Sequence, residues 1–352
     1  MQNDELSFLS DKITETNFET DFFLLNSDPV FVSIPQNEDN KRDQVFLQFK
    51  QKIREIPEHN QTDILKKYYS KFHDKSKDTV PFYVHEIIYQ DKIKEKLIID
   101  DFITCAPTLS FRTLKHDANN HIKFGLPFFY GNVIRVNTKK EVLSSLYLSD
   151  YIQGLPKINK LDFFKEYKGY SINSLEDYSV SYRRNDCQED TTPISCYFNY
   201  LLNFSEEKAT DRLESTLSFL SIFFHDFNTI HKELKTYGLG LEIHGQNLLV
   251  KLNAEGLFNG EYIYRDLGTC SLAPEKQKEQ IDLNHYYKLN YDFEYKNLID
   301  AGYYAWINYR TFYLSFFLYN LNQFVVTEKI ELNVYDWFDK LTDNLPEIKG
   351  IY

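Results

Sequence analysis

Apolar residues three and four positions apart predict that the segment from Pro193 to Tyr237 is mostly helix. Ser205 is the expected N-cap, because two glutamates follow it where the helix dipole favours negative charge. Gly238 is expected to end the helix, and His225 and His231 are expected on its surface. The apolar face is formed by Leu213, Leu217, Leu220, Phe224, Phe227, Ile230 and Leu234.

Helical spacing predicts further helices elsewhere in the chain. The helix near the middle, over 139–155, is expected to have a polar face. The other predicted helices lie at 46–56, 62–72, 298–325 and 334–341.

From residue 80 onwards, β-branched and aromatic residues predict strands. In the segment CAPTLSFRTL, residues 105–114, alternation places Thr108, Ser110 and Arg112 on one face. A strand face of this kind presents hydroxyl and guanidinium donors together.

The next segment, HIKFGLPFFYGNVIR, adds Lys123 and Arg135 to this set of donors. If these donors converge, they would form a clamp for phosphate groups. The clamp would consist of Ser110, Arg112, Lys123 and Arg135. The alternative is a solvated outer face of an antiparallel sheet, and the residues alone leave both open.

A further strand is predicted over YSVSY, residues 178–182, and ends at Arg183 and Arg184. The two arginines are expected to form a surface pair, and the alternative is that Arg183 faces the same cleft as the predicted clamp.

The segment from Gly238 to Gly268 predicts two strands joined by a turn. The strands are expected at 248–250 and 262–264, with the turn chemistry of NAEGLFNG between them. A hairpin brings its outer ends together, so Asn247 and Asp266 should lie side by side. Amide and carboxylate oxygens suit Mg²⁺ that carries nucleotide phosphates, and kinase-like folds place an Asn and an Asp in this way. The alternative is an ordinary hairpin whose polar residues cap turns.

Composition excludes several classes of protein. The chain has 352 residues, and 42% of them are hydrophobic against 26% charged, which is typical of a globular protein. The net charge of −12 and the lack of a basic cluster argue against nucleic-acid binding. The four cysteines form no Cys-x-x-Cys pair, which argues against a zinc or redox motif. No apolar run is long enough to span a membrane, and with no secretory segment we expect a cytoplasmic protein.

Several segments, taken in order, resemble the NRPS-independent siderophore synthetases. The family's Ser-x-Arg-Thr motif is matched by PTLSFRTL, and the Lys and Arg that follow it are matched by Lys123 and Arg135. Its Glu-x-His-x-Gln-Asn motif is matched at 242–247, and its Arg-Asp-Leu-Gly motif at 265–268. The segment YVHEIIYQ at 83–90 is similar to the family's Pro-Val-His-Pro-Trp-Gln but lacks the Pro-Trp.

The resemblance implies an α+β fold shaped like a cupped hand, with an antiparallel sheet as fingers and a distantly kinase-like palm. The implied division is a short N-terminal region at 1–80, a β-rich domain with the phosphate clamp at 81–204, and a palm with the hairpin at 205–352. The family uses ATP to adenylate a carboxylate, often citrate or a related polycarboxylate. It then joins the acyl group to an amine or alcohol, releasing AMP and pyrophosphate.

The resemblance also assigns roles to individual residues, with ATP and Mg²⁺ as cofactors. Phosphate contacts fall to Ser110, Arg112 and Thr113, and contacts to the α-phosphate and the carboxylate substrate fall to the catalytic set Lys123, Arg135 and His244. Gln246 joins the residues that bind ATP. The Mg²⁺ ligands would be Glu242, Asn247 and Asp266.

Departures from the family pattern leave alternatives open. Family members are usually longer, with an N-terminal Gly-His-Pro-x-His-Pro segment that has no counterpart in residues 1–80. The alternatives are a kinase-like phosphotransferase and an ATP-binding relative that has lost ligation. The expected partners are small-molecule substrates, and a homodimer is compatible with the resemblance.

Overall fold

The computed structural model describes residues 51–54, 84–85, 102–107, 113–115, 119–125, 129–130, 133–134, 136–170, 179–187, 190–204, 207–243, 245, 247–273 and 317–349. These residues form an α+β fold, as the sequence predicts. The strands are β1 (Gln51–Arg54), β2 (Val84–His85), β3 (Phe102–Pro107), β4 (Thr113–Lys115), β5 (Asn120–Phe124), β6 (Phe129–Tyr130), β7 (Val133–Ile134), β8 (Leu161–Phe163), β9 (Lys165–Tyr170), β10 (Val180–Arg184), β11 (Asp190–Pro193), β12 (Leu239–Gly240), β13 (Leu248–Leu252), β14 (Phe258–Tyr264) and β15 (Ser271–Leu272). The helices are α1 (Lys139–Gln153), α2 (Ile194–Asn199), α3 (Ala209–Thr236), α4 (Tyr319–Thr327), α5 (Val334–Thr342) and α6 (Pro346–Lys349).

The larger sheet is antiparallel and has the strand order β2-β1-β3-β4-β5-β10-β9 within the described residues. Its β10 strand covers most of the strand predicted over 178–182. Strands β6 and β7 pair separately.

The first helix prediction, over 46–56, is wrong where the structure describes this segment. Residues Gln51–Arg54 are β1, which pairs antiparallel with both β2 and β3. Pairing with strands distant in sequence overrides the local helical spacing here, because both edges of β1 gain ladder hydrogen bonds. The helix predicted over 62–72 lies outside the described residues, and the domain boundaries stay a prediction.

The smaller sheet has the order β11-β13-β14-β8 and contains the predicted hairpin. Strands β13 and β14 are antiparallel, with Leu248 opposite Tyr264, whereas β8 runs parallel to β14. The turn closes where the Asn253 N–H donates to the Leu257 carbonyl at 2.8 Å. Gly256 there has a φ of 77°, which favours glycine. The hairpin is confirmed, with strands longer than predicted.

The long helix α3 is confirmed, but its first turn is not where the sequence places it. The helix begins at Ala209, after the extended residue Lys208, so the prediction of Ser205 as its N-cap is wrong. A π-helical turn over Tyr200–Phe204 extends α2, and Arg212 of α3 donates to the Leu202 carbonyl at 2.9 Å. This contact ties the start of α3 to the preceding turn.

Two predictions about α3 concern its ends and its histidines. The helix ends before Gly238, whose φ is 69°, as predicted. His225 is exposed, but His231 is buried and packs edge-on against Phe227 with ring centroids 5.5 Å apart. The surface prediction for His231 is therefore wrong, because this position lies on the apolar face of the helix.

Aromatic rings join α3 to the hairpin and form the centre of the main core. Phe223 and Phe227 both contact the ring of Tyr262 on β14, with centroid separations of 6.0 and 5.3 Å. Phe317 packs against Phe223 from the other side at 5.5 Å. The hairpin is thus held on a rigid helix.

Helix α1 packs between the larger sheet and the turn that follows β14. It starts with a capping box, in which Thr138 accepts from the Glu141 N–H and Glu141 accepts from the Thr138 N–H. Its serines at 144, 145 and 149 are buried, whereas Lys140, Asp150 and Gln153 are exposed and form its polar face. A Cβ on Gly169 of β9 would lie 2.1 Å from Val142, and one on Gly268 would lie 3.2 Å from the Glu141 carbonyl oxygen. Both glycines let α1 approach closely.

The C-terminal helices complete the described part of the chain. Helix α5 confirms the helix predicted over 334–341, and α4 covers the end of the helix predicted over 298–325. No helix in the described ranges combines the length and apolar character needed to cross a membrane.

Candidate active site

Lys123 lies in the middle of the larger sheet. In the ladder it stands opposite Thr113 on β4 and Ser181 on β10, so the three side chains share one face. All three are buried. The opposite face of the same strands is apolar, with Ile122, Phe124, Val180 and Tyr182 buried.

Asp266 meets Lys123 at this polar face. The Lys123 Nζ lies 2.5 Å from the Asp266 Oδ1, although the two residues are 143 positions apart. Asp266 follows β14 with a left-handed φ of 78°, a conformation that aspartate tolerates better than most residues. Its carbonyl accepts from the Tyr264 hydroxyl at 3.2 Å. The hairpin exit and the sheet therefore meet at one ion pair.

Arg183 extends this ion pair into a network of four charges. Its Nη2 lies 3.3 Å from the Asp266 Oδ1, and its Nε lies 3.1 Å from the Glu166 Oε1. The side chains of Arg183 and Lys123 are 2% exposed, that of Glu166 is 0% exposed and that of Asp266 is 13% exposed. Two cations and two carboxylates thus balance in a site closed to most solvent.

The expectation that Arg183 and Arg184 form a surface pair is wrong for Arg183. Alternation along β10 turns the two side chains to opposite directions, and Arg183 stands in the ladder opposite His121 and Glu166. Arg184 alone is exposed, where it pairs with Asp186 at 2.5 Å.

The pKa shifts follow from this burial. Burial raises the pKa of the Glu166 carboxyl, against the lowering effect of Arg183 and Lys123. Burial alone would lower the pKa of Arg183, but Glu166 and Asp266 outweigh it and raise that pKa. Ionisable groups whose pKa is shifted by burial and by charged neighbours are typical of functional sites, and structural ion pairs show such shifts as well.

Two of the predicted metal ligands, Glu242 and Asn247, lie beside the hairpin exit. The Asn247 Nδ2 donates to the Glu242 carbonyl at 3.2 Å, and the Asn247 carbonyl accepts from the Arg265 N–H at 2.9 Å. Because the side-chain nitrogen of Asn247 points to the Glu242 carbonyl, its side-chain oxygen points away from that carbonyl. Strand β12, just before Glu242, pairs with β15, just after Asp266. The three predicted ligands therefore lie on adjacent segments.

The donor chemistry of these residues fits Mg²⁺. Two carboxylates and one amide oxygen are hard ligands, and Mg²⁺ usually takes one or two carboxylates with its other positions filled by water and phosphate. Within the part of the chain that the structure describes, no group of three or more His, Cys, Asp or Glu residues could hold a metal ion. A metal here would therefore depend on Asn247 and on oxygens from a nucleotide.

Cys270 lies at the same turn but does not have the character of a ligand or nucleophile. Its Sγ lies 3.2 Å from the Tyr264 hydroxyl and 3.6 Å from the Asp266 carbonyl. Burial raises the pKa of the thiol to about 12, so it stays protonated.

Asn137 connects the strand of Lys123 to the start of α1. Its buried amide donates to the Ser179 carbonyl at 2.8 Å and to the Lys123 carbonyl at 3.4 Å. Its own carbonyl accepts from the Ser179 N–H at 2.8 Å. The segment that follows Arg135 in sequence is thereby fixed to the ends of β5 and β10.

The structure thus brings together predicted residues from separate motifs. Thr113 and Lys123 come from the predicted clamp, and Glu242, Asn247 and Asp266 come from the hairpin segment. The predicted site residues that lie outside the described residues are Ser110, Arg112, Arg135, His244 and Gln246.

Sequence reasoning placed Arg183 in the cleft only as an alternative, and it missed Glu166. Alternation in SVSYRR places Ser181 and Arg183 on the same face, which was a usable signal for Arg183. Glu166 has no comparable signal, because its role depends on the pairing of β9 with β10.

Solved structures with the same fold were found by structural comparison. The petrobactin biosynthesis protein AsbB from Bacillus anthracis str. Sterne superposes with a TM-score of 0.60 at 16% identity, covering 88% of this chain and 62% of that one. The aerobactin synthetase IucA from Klebsiella pneumoniae gives 0.55 at 14% identity, covering 85% and 62%. Its ATP-bound form gives 0.51 at 14% identity, covering 84% and 65%.

These similarities define the fold of the chain. It is the fold of the NRPS-independent siderophore synthetases, as the sequence motifs predict. The chain spans less than two thirds of the length of each of these proteins. No family model and no curated protein sequence matches it.

Proposed function

We propose that this chain is an ATP-dependent ligase of siderophore biosynthesis. It adenylates a carboxylate, with citrate or a related polycarboxylate as the substrate class, and condenses the product with an amine or alcohol. The proposal is supported by the fold shared with siderophore synthetases, one of which has been seen with ATP bound.

One observation carries the proposal: the ion pair between Lys123 and Asp266. The sequence motifs assign Lys123 to the phosphates and Asp266 to the metal, from segments 143 positions apart. A site for Mg²⁺-ATP requires these two groups within a few ångströms of each other.

The residues of the site have distinct roles in this proposal. Asp266, Asn247 and Glu242 would hold Mg²⁺, which would offset the negative charge of the phosphates. Lys123 contacts the α-phosphate, and Thr113 stands beside it as a hydroxyl donor. The remaining contacts to the nucleotide and the carboxylate come from Arg135, Ser110, Arg112, His244 and Gln246.

The chemistry is two successive substitutions. A carboxylate oxygen attacks the α-phosphorus, and the bond from that phosphorus to pyrophosphate breaks. The amine or alcohol then attacks the acyl carbon, the bond to AMP breaks and one proton is released. Both steps place negative charge where a buried cation stabilises it, because fixed charges act strongly in a site with little water.

The direct test is a screen for pyrophosphate release with purified full-length chain. Citrate, 2-oxoglutarate and succinate-type acids are each supplied with diamines or amino alcohols, ATP and Mg²⁺. The expected result is pyrophosphate and AMP in equal amounts, dependent on the acid. ADP with a phosphorylated product would indicate a kinase-like phosphotransferase, and no turnover with any pair would favour an ATP-binding relative that has lost ligation.

A further inference from the structure

The four buried charges are connected in a chain whose inner members each have two partners. Lys123 contacts Asp266 at 2.5 Å, Asp266 contacts Arg183 at 3.3 Å, and Arg183 contacts Glu166 at 3.1 Å. Lys123 and Arg183 share the same Asp266 oxygen, Oδ1. Any cation that binds Asp266 therefore competes with two protein cations.

The protein cations that a metal displaces from Asp266 need another counter-ion. Arg183 is buried and keeps its charge at all accessible pH values, so it needs a carboxylate close by in every state of the protein. Lys123 would have an alternative counter-ion in a bound phosphate, whereas Arg183 is paired with the fully buried Glu166 at 3.1 Å. Without Glu166, Asp266 would be the one carboxylate at ion-pair distance from Arg183 among the described residues.

We propose that Glu166 is a positioning residue for Asp266: it acts as the fixed counter-ion of Arg183, so that Asp266 can exchange its protein cations for a divalent cation. The inference deepens the proposed function and rests on Asp266 as a metal ligand. It assigns a role to two residues that no sequence motif of the site includes.

The position of Glu166 supports this role. It lies on β9, and its carboxylate also faces the backbone N–H of Leu267, the residue after Asp266. Helix α1 packs against β9 at Gly169 and against the 267–269 turn at Gly268. Glu166 therefore pairs with Arg183 and lies near the turn after Asp266, on a strand that packs closely against α1.

The test compares nucleotide binding with and without metal in a Glu166→Gln variant of the full-length chain. Calorimetry measures binding of an ATP analogue with a non-cleavable α–β bond, first in EDTA and then across a Mg²⁺ titration. An opposite charge within a few ångströms changes the acid dissociation constant of a carboxyl group by about tenfold or more. We expect the variant to need about tenfold more Mg²⁺ for half-maximal enhancement of binding, while affinity in EDTA stays within about twofold.

The matched control is Glu261→Gln. Lys251 is a second buried cation with two carboxylates, Asp162 at 2.6 Å and Glu261 at 2.8 Å. Removing Glu261 leaves Lys251 one carboxylate, as removing Glu166 leaves Arg183 one. Glu261 lies on β14 five residues before Asp266, and its carboxylate contacts Lys251 instead of the chain of four charges. The control should keep the wild-type Mg²⁺ dependence.

A double variant keeps the proposal testable if Glu166→Gln does not fold. Glu166→Gln with Arg183→Met removes both charges, a replacement that buried ion pairs often tolerate. Because Arg183 no longer competes for Asp266, the Mg²⁺ concentration for half-maximal enhancement of binding should return to the wild-type value or below.

Three outcomes would overturn the proposal. Glu166→Gln could leave the Mg²⁺ dependence unchanged, it could weaken binding equally with and without metal, or the double variant could need as much Mg²⁺ as the single variant. These measurements use binding alone, so they stand apart from the proposed reaction. Normal Mg²⁺-dependent binding in a wild-type chain that releases no pyrophosphate would contradict the ligase and leave this inference intact.

Discussion

Lys123 is a charged residue in the middle of a sheet, and its burial would be costly without a partner. Asp266 balances the charge of Lys123, as Glu166 balances that of Arg183, but replacing buried ion pairs with apolar residues is often neutral or stabilising. The network is therefore weak evidence for stability. In the proposed function its charges are oriented before a nucleotide binds, which lowers the cost of organising the site.

Replacing Lys123 with methionine tests this explanation. Lys123→Met keeps the length of the side chain and removes its charge, leaving Asp266 paired with Arg183. We expect pyrophosphate release to fall by about 100-fold or more, as when one preorganised donor is removed from an active site. Single-turnover assays measure the loss, and circular dichroism checks the fold. Wild-type rates in this variant would remove Lys123 from the site.

His231 makes a separate prediction at the residue scale, about pH. Burial, together with the charge of Lys235, lowers its pKa to about 3 from an ordinary value of 6.5. The unfolded chain therefore binds a proton between these values that the folded chain does not. The stabilising contribution of neutral His231 is fully present above about pH 6.5 and is lost as the pH falls, by up to about 1.4 kcal/mol per pH unit.

The comparison variants are His231→Phe and His225→Gln. His231→Phe keeps a ring beside Phe227 without a titrating group, so its free energy of unfolding should depend less on pH between about pH 7 and pH 5. His225 is exposed on the same helix, and its variant should follow the wild type. Urea denaturation at each pH gives the slopes, and equal slopes for all three proteins would contradict the burial of His231.

At the scale of elements, α1 and the hairpin define the geometry of the site. Helix α1 contacts β9 on one side and the turn after Asp266 on the other, and it depends on glycine at both contacts. The hairpin is fixed in turn by the rings of α3. The distance between Lys123 and Asp266 is therefore set by packing between elements rather than by a flexible loop.

Gly169→Ala should disturb this packing. Its new Cβ would lie 2.1 Å from Val142 Cγ1, so α1 or the sheet must shift, at a cost of about 1–3 kcal/mol in the free energy of unfolding. Adding Val142→Ala makes room and should recover part of the loss. Thermal and urea denaturation measure both effects, and Gly154→Ala, which meets its nearest atom at 3.4 Å, is the control. A Gly169→Ala protein as stable as this control would show that α1 does not pack closely on β9.

At the scale of the whole molecule, sequence patterns predicted what depends on local spacing. Helices α1, α3 and α5 and the hairpin follow from periodicity and turn chemistry, and the resemblance assigns Lys123 and Asp266 to one site. Two features do not follow, because each depends on partners distant in sequence: the strand β1 in place of a helix and the pairing of Arg183 with Glu166. The burial of His231 does follow from helical spacing, since this position continues the apolar face of α3. The resemblance that implies the fold rests on motifs within residues 80–325 that together are more specific than any one of them.

The chain spans less than two thirds of the synthetases that share its fold, so its reaction needs its own test. The most direct measurement is isotope exchange between labelled pyrophosphate and ATP, with Mg²⁺ and the carboxylate substrate but without an amine or alcohol. An AMP-forming ligase makes its acyl-adenylate reversibly, so label should enter ATP only when the acid is present. ADP formation with no exchange, for an acid that the chain turns over, would contradict the account.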